Sequence, residues 1–170
     1  MNSAGPLLHL SAQERESFVG ARYTIAQLPS TTLYRLVGQS AHGAWSSAFG
    51  QKCWFDERVF FDCVCDVRVV QDEPSRALAS LRFLLRDRLA VAANWNDFRS
   101  YFTLRIPRDA NVVAAVGAAA AQPFMVDGRA PGRQLGPLLL AGGAQQYIVN
   151  VQPRLSGYLG GPQPLAIARA

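Results

Sequence analysis

From Tyr101 to the C-terminus the chain is a succession of short strand-like runs, most of them stopped by glycine or proline. "YFTLRI" ends at Pro107 and "NVVAAVG" ends at Gly117. A further run spans about Gln146 to Val151, and "PLAIARA" is expected as a final edge strand. Upstream, "TTLYRLVG" (Thr31 to Gly38) has the β-branched and aromatic content of a core strand. Helices do not alternate with these strands. The expected class is therefore α+β rather than a doubly wound parallel sheet.

Two helices are expected. Ser11 and Glu14 stand three apart as a capping box that starts the first, which should end near Gly20. The second is "DEPSRALASLRFLLRDRL", where Leu78, Leu81, Leu85 and Leu89 recur at helical spacing and Asp72 can cap. Arg76, Arg82 and Arg86 lie mainly off that stripe and are expected in solvent. "RVFFDCVCDVRVV" alternates from Phe61, which reads as a half-buried strand with Cys63 and Cys65 on one face. "QSAHGAWSSAFGQKCWF" is rich in glycine and serine yet aromatic, the composition of a loop that walls a ligand site. Residues 123 to 137 read as a long surface loop.

A chain of 170 residues suits one domain. We divide it into an N-terminal helical segment (1–30), a core (31–152) and a C-terminal tail or edge strand (153–170). No apolar run approaches the ~20 residues of a membrane span. The N-terminus lacks the pattern of a cleaved signal, so synthesis in the cytoplasm is expected, with any export left to a specialised secretion system.

The chemistry is narrow. C-x9-C-x-C matches no common zinc spacing, and no metal is expected. No G-x-S-x-G and no phosphate-loop motif occur. Lys52 is the sole lysine, so 16 of the 17 basic residues are arginine, which grips phosphate through a bidentate fork. The ordinary account of that count is a GC-rich genome. The arginines are scattered, which fits a small phosphate-bearing ligand better than a nucleic acid. No Asp or Glu follows Asp127. A site on the C-terminal strands must therefore work with amides, hydroxyls and arginines.

In that setting "LYRLVG", a Trp-Ser-Ser loop and "GGAQQY" together resemble the ADP-ribosyltransferase-like superfamily. "AANWNDFRSYFTLRIP" and "GAAAAQ" extend the likeness over residues 31 to 152, towards bacterial toxin domains of the tuberculosis-necrotizing type. The resemblance implies split β-sheets with a few helices around an NAD cleft. NAD would be a substrate, hydrolysed to nicotinamide and ADP-ribose. Arg35 and Gln146 match the catalytic positions. Tyr34, Trp45, Ser46, Ser47 and Gly143 are the expected NAD contacts. The family's late catalytic glutamate has no counterpart, which favours hydrolysis over mono-ADP-ribosyl transfer to a protein or nucleic acid. A toxin of this kind implies an immunity protein as partner, an unknown macromolecular target if it is a transferase, and no membrane. Two rival readings stand beside it. One is an RNA-directed toxin using the arginines and His42. The other is a non-enzymatic module that docks a partner through residues 123–144.

Overall fold

The structure is a computed structural model, which describes residues 8–40, 43, 45–70, 74–91, 96–124 and 139–166. Its first element follows from the capping box. Ser11 Oγ accepts the Glu14 N–H at 3.2 Å, and Glu14 Oε2 accepts the Ser11 N–H at 2.8 Å. They close the start of α1 (Ala12–Glu16). A 3-10 turn at Val19–Ala21 follows, with Gly20 at φ 58°, and leads into β1 (Thr24–Gln27).

The strand-like runs become strands. β2 is Thr31–Val37, β4 Ser100–Ile106, β5 Val113–Ala118 and β8 Gln145–Val151. Two short strands, β6 (Gln122–Pro123) and β7 (Leu139–Leu140), pair with each other. The C-terminal edge strand is β9, Leu159–Pro164, so it precedes most of "PLAIARA". Leu165 is buried behind it, and residues 167–170 lie outside the described residues.

Two expectations fail. The last six residues of the expected loop 39–55 belong to a strand, β3 (Gly50–Asp56), in the middle of the sheet. Trp54 and Phe55 are buried on opposite faces, in two different cores. Two adjacent buried residues on opposite faces give no alternation for the eye to catch. The run expected as the next strand is instead a helix, α2 (Glu57–Val70). Asp56 caps it by accepting the Val59 N–H at 3.2 Å. Val59, Cys63 and Val67 are buried at i, i+4, i+8, with Phe60 and Val64 packed beside them. Its valines and phenylalanines are poor helix formers, so burial of that stripe overrides propensity. Cys63 is accordingly buried, its thiol pushed up to about 11 chiefly by burial, while Cys65 is exposed. They do not share a face. The helix expected from the leucine spacing is α3, Pro74–Leu89. Asp72 lies outside the described residues.

Among the described residues the main sheet has seven strands in the order β1-β5-β8-β3-β2-β4-β9, every pair antiparallel. The helices α2 and α3 pack on one face, burying Leu36, Phe55, Leu81 and Leu85. The other face buries Leu33, Trp54, Leu104 and Val149 under a 3-10 turn at Pro153–Tyr158, which contributes Leu155. The fold is α+β, as expected. No helix among the described residues is long and apolar enough to cross a membrane.

The arginine face of α3 is not uniformly solvated. Arg86 is buried, and donates to Val91 O at 2.9 Å and Asn96 O at 2.6 Å, with its guanidinium 4.4 Å from the centre of the Phe98 ring. Burial lowers its pKa, with Asp97 opposing that shift. It braces the turn Asn96–Phe98 against the end of β2.

Candidate functional site

The sheet opens at one seam. β2 runs along β4 from Thr31↔Ile106 to Val37↔Ser100, and β3 along β8 from Gly50↔Val151 to Phe55↔Gln146. Between β2 and β3 the register holds only at Leu33↔Asp56 and Tyr34↔Phe55. Beyond Tyr34 the two strands part. Their facing backbone groups need other partners. Arg35 supplies some. Its Nη1 donates to Cys53 O and its Nε to Ser47 O, both at 3.0 Å. Burial lowers the Arg35 pKa, and an arginine so shifted still carries its charge at neutral pH.

A cavity of about 300 Å3 occupies this seam, at the small end of the range for ligand sites. Arg35, Ser46 and Gln146 all line it. The other expected contacts do not. Tyr34 neighbours Arg35 on the strand and so points to the opposite face. It stacks there with Phe60 at 5.7 Å and donates to Glu57 Oε1 at 3.3 Å. Trp45 is 62% exposed and bridges back to Gln39. Ser47 offers its carbonyl to Arg35, while its Oγ accepts the Phe49 N–H at 3.1 Å. Gly143 is exposed at φ 83°, and its N–H is spent on Ala119 O at 2.8 Å. Its neighbours cap α3. Gly142 N–H donates to Asp87 O at 2.8 Å and Ala144 N–H to Arg88 O at 3.1 Å. Gly142 thus ties this loop to the C-terminal turn of α3, and Gly143 ties it to Ala119. His42 and residues 125–138 of the expected docking loop lie outside the described residues.

Further polar residues line the cavity without a signal in the sequence that assigns them to it, among them Glu14, Ser17, Gln51, Lys52, Asn96 and Gln122. The capping box identified Glu14 as a helix cap, but nothing local showed where that helix would dock. Glu14 Oε2 accepts from Ser11 N, Ser11 Oγ and Gln51 Nε2, each at 2.8 Å. Burial disfavours its charge, but these bonds and Lys52 outweigh burial and lower its pKa. It is the only carboxylate on the cavity among the described residues. Arg35 and Lys52 outnumber it, so the wall favours an anionic ligand. Asn96 ties the cavity wall together, donating to Leu36 O at 2.9 Å and Ser46 Oγ at 3.3 Å.

Gln146 is 5% exposed. Its Nε2 donates to Ser17 O at 2.8 Å and reaches Ser17 Oγ at 3.1 Å. Among the described residues the fully buried side-chain polar atom left without a partner is Trp54 Nε1. No described residue is seen to donate to Gln146 Oε1, and Gln146 is part of the cavity wall. The arrangement can therefore hold an anion at one side and offer a fixed acceptor at another. No group of three or more His, Cys, Asp or Glu among the described residues is placed to hold a metal ion. Set against family models, curated proteins and solved structures, the chain matches none of them.

Proposed function

We propose that the chain is an NAD-consuming bacterial toxin domain that hydrolyses NAD to nicotinamide and ADP-ribose at the seam between β2 and β3. One observation carries this reading. Arg35, Ser46 and Gln146, chosen from separate segments of the sequence, line one cavity. The parting of β2 from β3 supports the ADP-ribosyltransferase-like form of the reading, in which NAD lies where a sheet splits.

The reaction asks little covalent work of the protein. The bond from nicotinamide nitrogen to ribose C1′ breaks, and its electron pair stays on nicotinamide. Water adds at C1′ and releases a proton to solvent. The chain has to orient the substrate and water and stabilise developing charge. Arg35 keeps Nη2 N–H groups beyond those bound to Ser47 and Cys53, and these suit a pyrophosphate. Lys52 adds a second positive charge. Gln146 Oε1 accepts from the attacking water or a ribose hydroxyl. Inside a producing cell such an enzyme needs an immunity protein, and the net charge of +5 steers an acidic one.

Folded protein incubated with NAD is expected to release nicotinamide and free ADP-ribose in equal amounts. ADP-ribose recovered on a protein or nucleic acid would make the chain a transferase. No release at micromolar enzyme would contradict both activities.

A further inference from the structure

We infer that the N-terminal segment sets the polarity of the Gln146 amide: Ser17 holds the Nε2 end, so the carbonyl Oε1 is presented to the cavity as an acceptor. The two ends of a glutamine amide are nearly alike in shape, and their partners decide which way it faces. Here both partners require a donor. Ser17 O is a carbonyl and can only accept; it takes Gln146 Nε2 at 2.8 Å. Ser17 Oγ has one hydrogen, already donated to Glu14 O at 2.7 Å. Towards Gln146 Nε2, 3.1 Å away, it therefore acts as an acceptor too. A flipped amide would set Oε1 against two acceptors.

Ser17 is 129 residues from Gln146 and lies just past the end of α1. Its position is fixed independently, because Ala120 N–H also donates to Ser17 O at 2.8 Å. Ser17 is thus a positioning residue, and the segment before the core is part of the site. For catalysis the consequence is specific. An amide oxygen orients the proton of water or a ribose hydroxyl without taking it. This last step rests on the NAD reading; the polarity of the amide does not.

Gln146→Glu separates the two. A carboxyl in this seat faces Ser17 O and Oγ, so it must keep its proton to stay there. Burial, the two Ser17 acceptors and the nearby Glu14 raise its folded-state pKa above the unfolded value of about 4.3, against the opposing pull of Arg35 and Lys52 on the same cavity. Protonated, it imitates the amide, with O–H towards Ser17 and C=O towards the cavity. A raised pKa means the fit is present at acid pH and lost as pH rises. The unfolding midpoint of the variant should therefore fall further below wild type as pH rises from about 4, until it levels off above the folded-state pKa. Its nicotinamide release should retain a measurable share of the wild-type rate at acid pH. That share should drop about tenfold per pH unit once the carboxyl titrates.

A stability gap that stays constant with pH would overturn the inference, whatever happens to NAD. A widening stability gap with a constant rate ratio would overturn Oε1 as the catalytic acceptor. A wild type that releases no nicotinamide would remove the function, and the stability series would still decide the polarity. If Gln146→Glu does not fold, the wild-type side-chain NH2 of Gln146 decides it. Nuclear Overhauser contacts of those protons with Ser17 are expected, and their absence would overturn the assignment.

Discussion

Gln146→Ala is expected to lower NAD hydrolysis by about 100-fold or more while the protein stays folded. The catalytic loss follows from removing the acceptor that faces the cavity. The modest structural cost follows from what remains. Ser17 O keeps the Ala120 N–H, so no buried carbonyl is orphaned. Residue 146 keeps its backbone partners, Phe55 on β3 and Gly117 on β5. The lost hydrogen bond and the small void should cost about 1–3 kcal/mol. Arg35 and Lys52 still face the ligand, so KM should change less than kcat. Steady-state kinetics beside a thermal melt checks both halves. A loss of rate that tracks a loss of the folded signal would assign Gln146 to structure alone.

The largest expected effect on stability lies at Gly38. A Cβ built there collides with Asp97 Oδ1 and comes within 2.8 Å of Asn96 Oδ1 and 3.1 Å of Phe98 N. None of these atoms is idle. Asp97 Oδ1 accepts the Gln39 N–H at 3.0 Å, and Asp97 Oδ2 pairs with Arg99 Nε at 2.5 Å. Asn96 Oδ1 accepts the Phe98 N–H at 2.8 Å. Making room for one methyl group therefore displaces a turn bound to β2 and braced by Arg86. Gly38→Ala should cost about 3 kcal/mol, which lowers the melting temperature by roughly 6–12 °C in a domain of this size. Activity should fall as well, because the Asn96 side chain also bonds Ser46 on the cavity wall. A thermal melt checks the first effect, and a shift below about 2 °C would show that the turn gives way freely.

The parts of the fold that sequence discloses are those where local preference and tertiary role agree. β2, β4, β5 and β8 combine apolar runs with glycine or proline nearby, and α3 carries a leucine stripe. Where the two conflict, the reading fails. α2 is built from valine, phenylalanine and cysteine, and only the helix-spaced stripe Val59, Cys63, Val67 betrays it. In β3 the two buried residues, Trp54 and Phe55, are adjacent and enter opposite cores, so no alternation marks the strand.

The candidate site divides in the same way. Arg35, Ser46 and Gln146 carry family-like motifs and reach the cavity. Tyr34 follows the same motif but packs on Phe60 and bonds Glu57 instead of lining the cavity. The glycines before Gln146 were rightly read as special backbone, with Gly142 at φ 70° and Gly143 at φ 83°. Their N–H groups serve α3 and Ala119 instead of a ligand. Glu14 and Ser17 were not legible as site residues. Their role depends on the docking of α1 against β3 and β8, a contact across most of the chain that no local pattern encodes.

The most direct measurement of the central claim is a structure of the Gln146→Ala variant, which should bind NAD without consuming it, grown with NAD. NAD is expected at the seam of β2 and β3, with its pyrophosphate on Arg35 and the ribose bonded to nicotinamide beside residue 146. NAD bound away from Arg35, or no binding by a folded variant at millimolar NAD, would contradict the account.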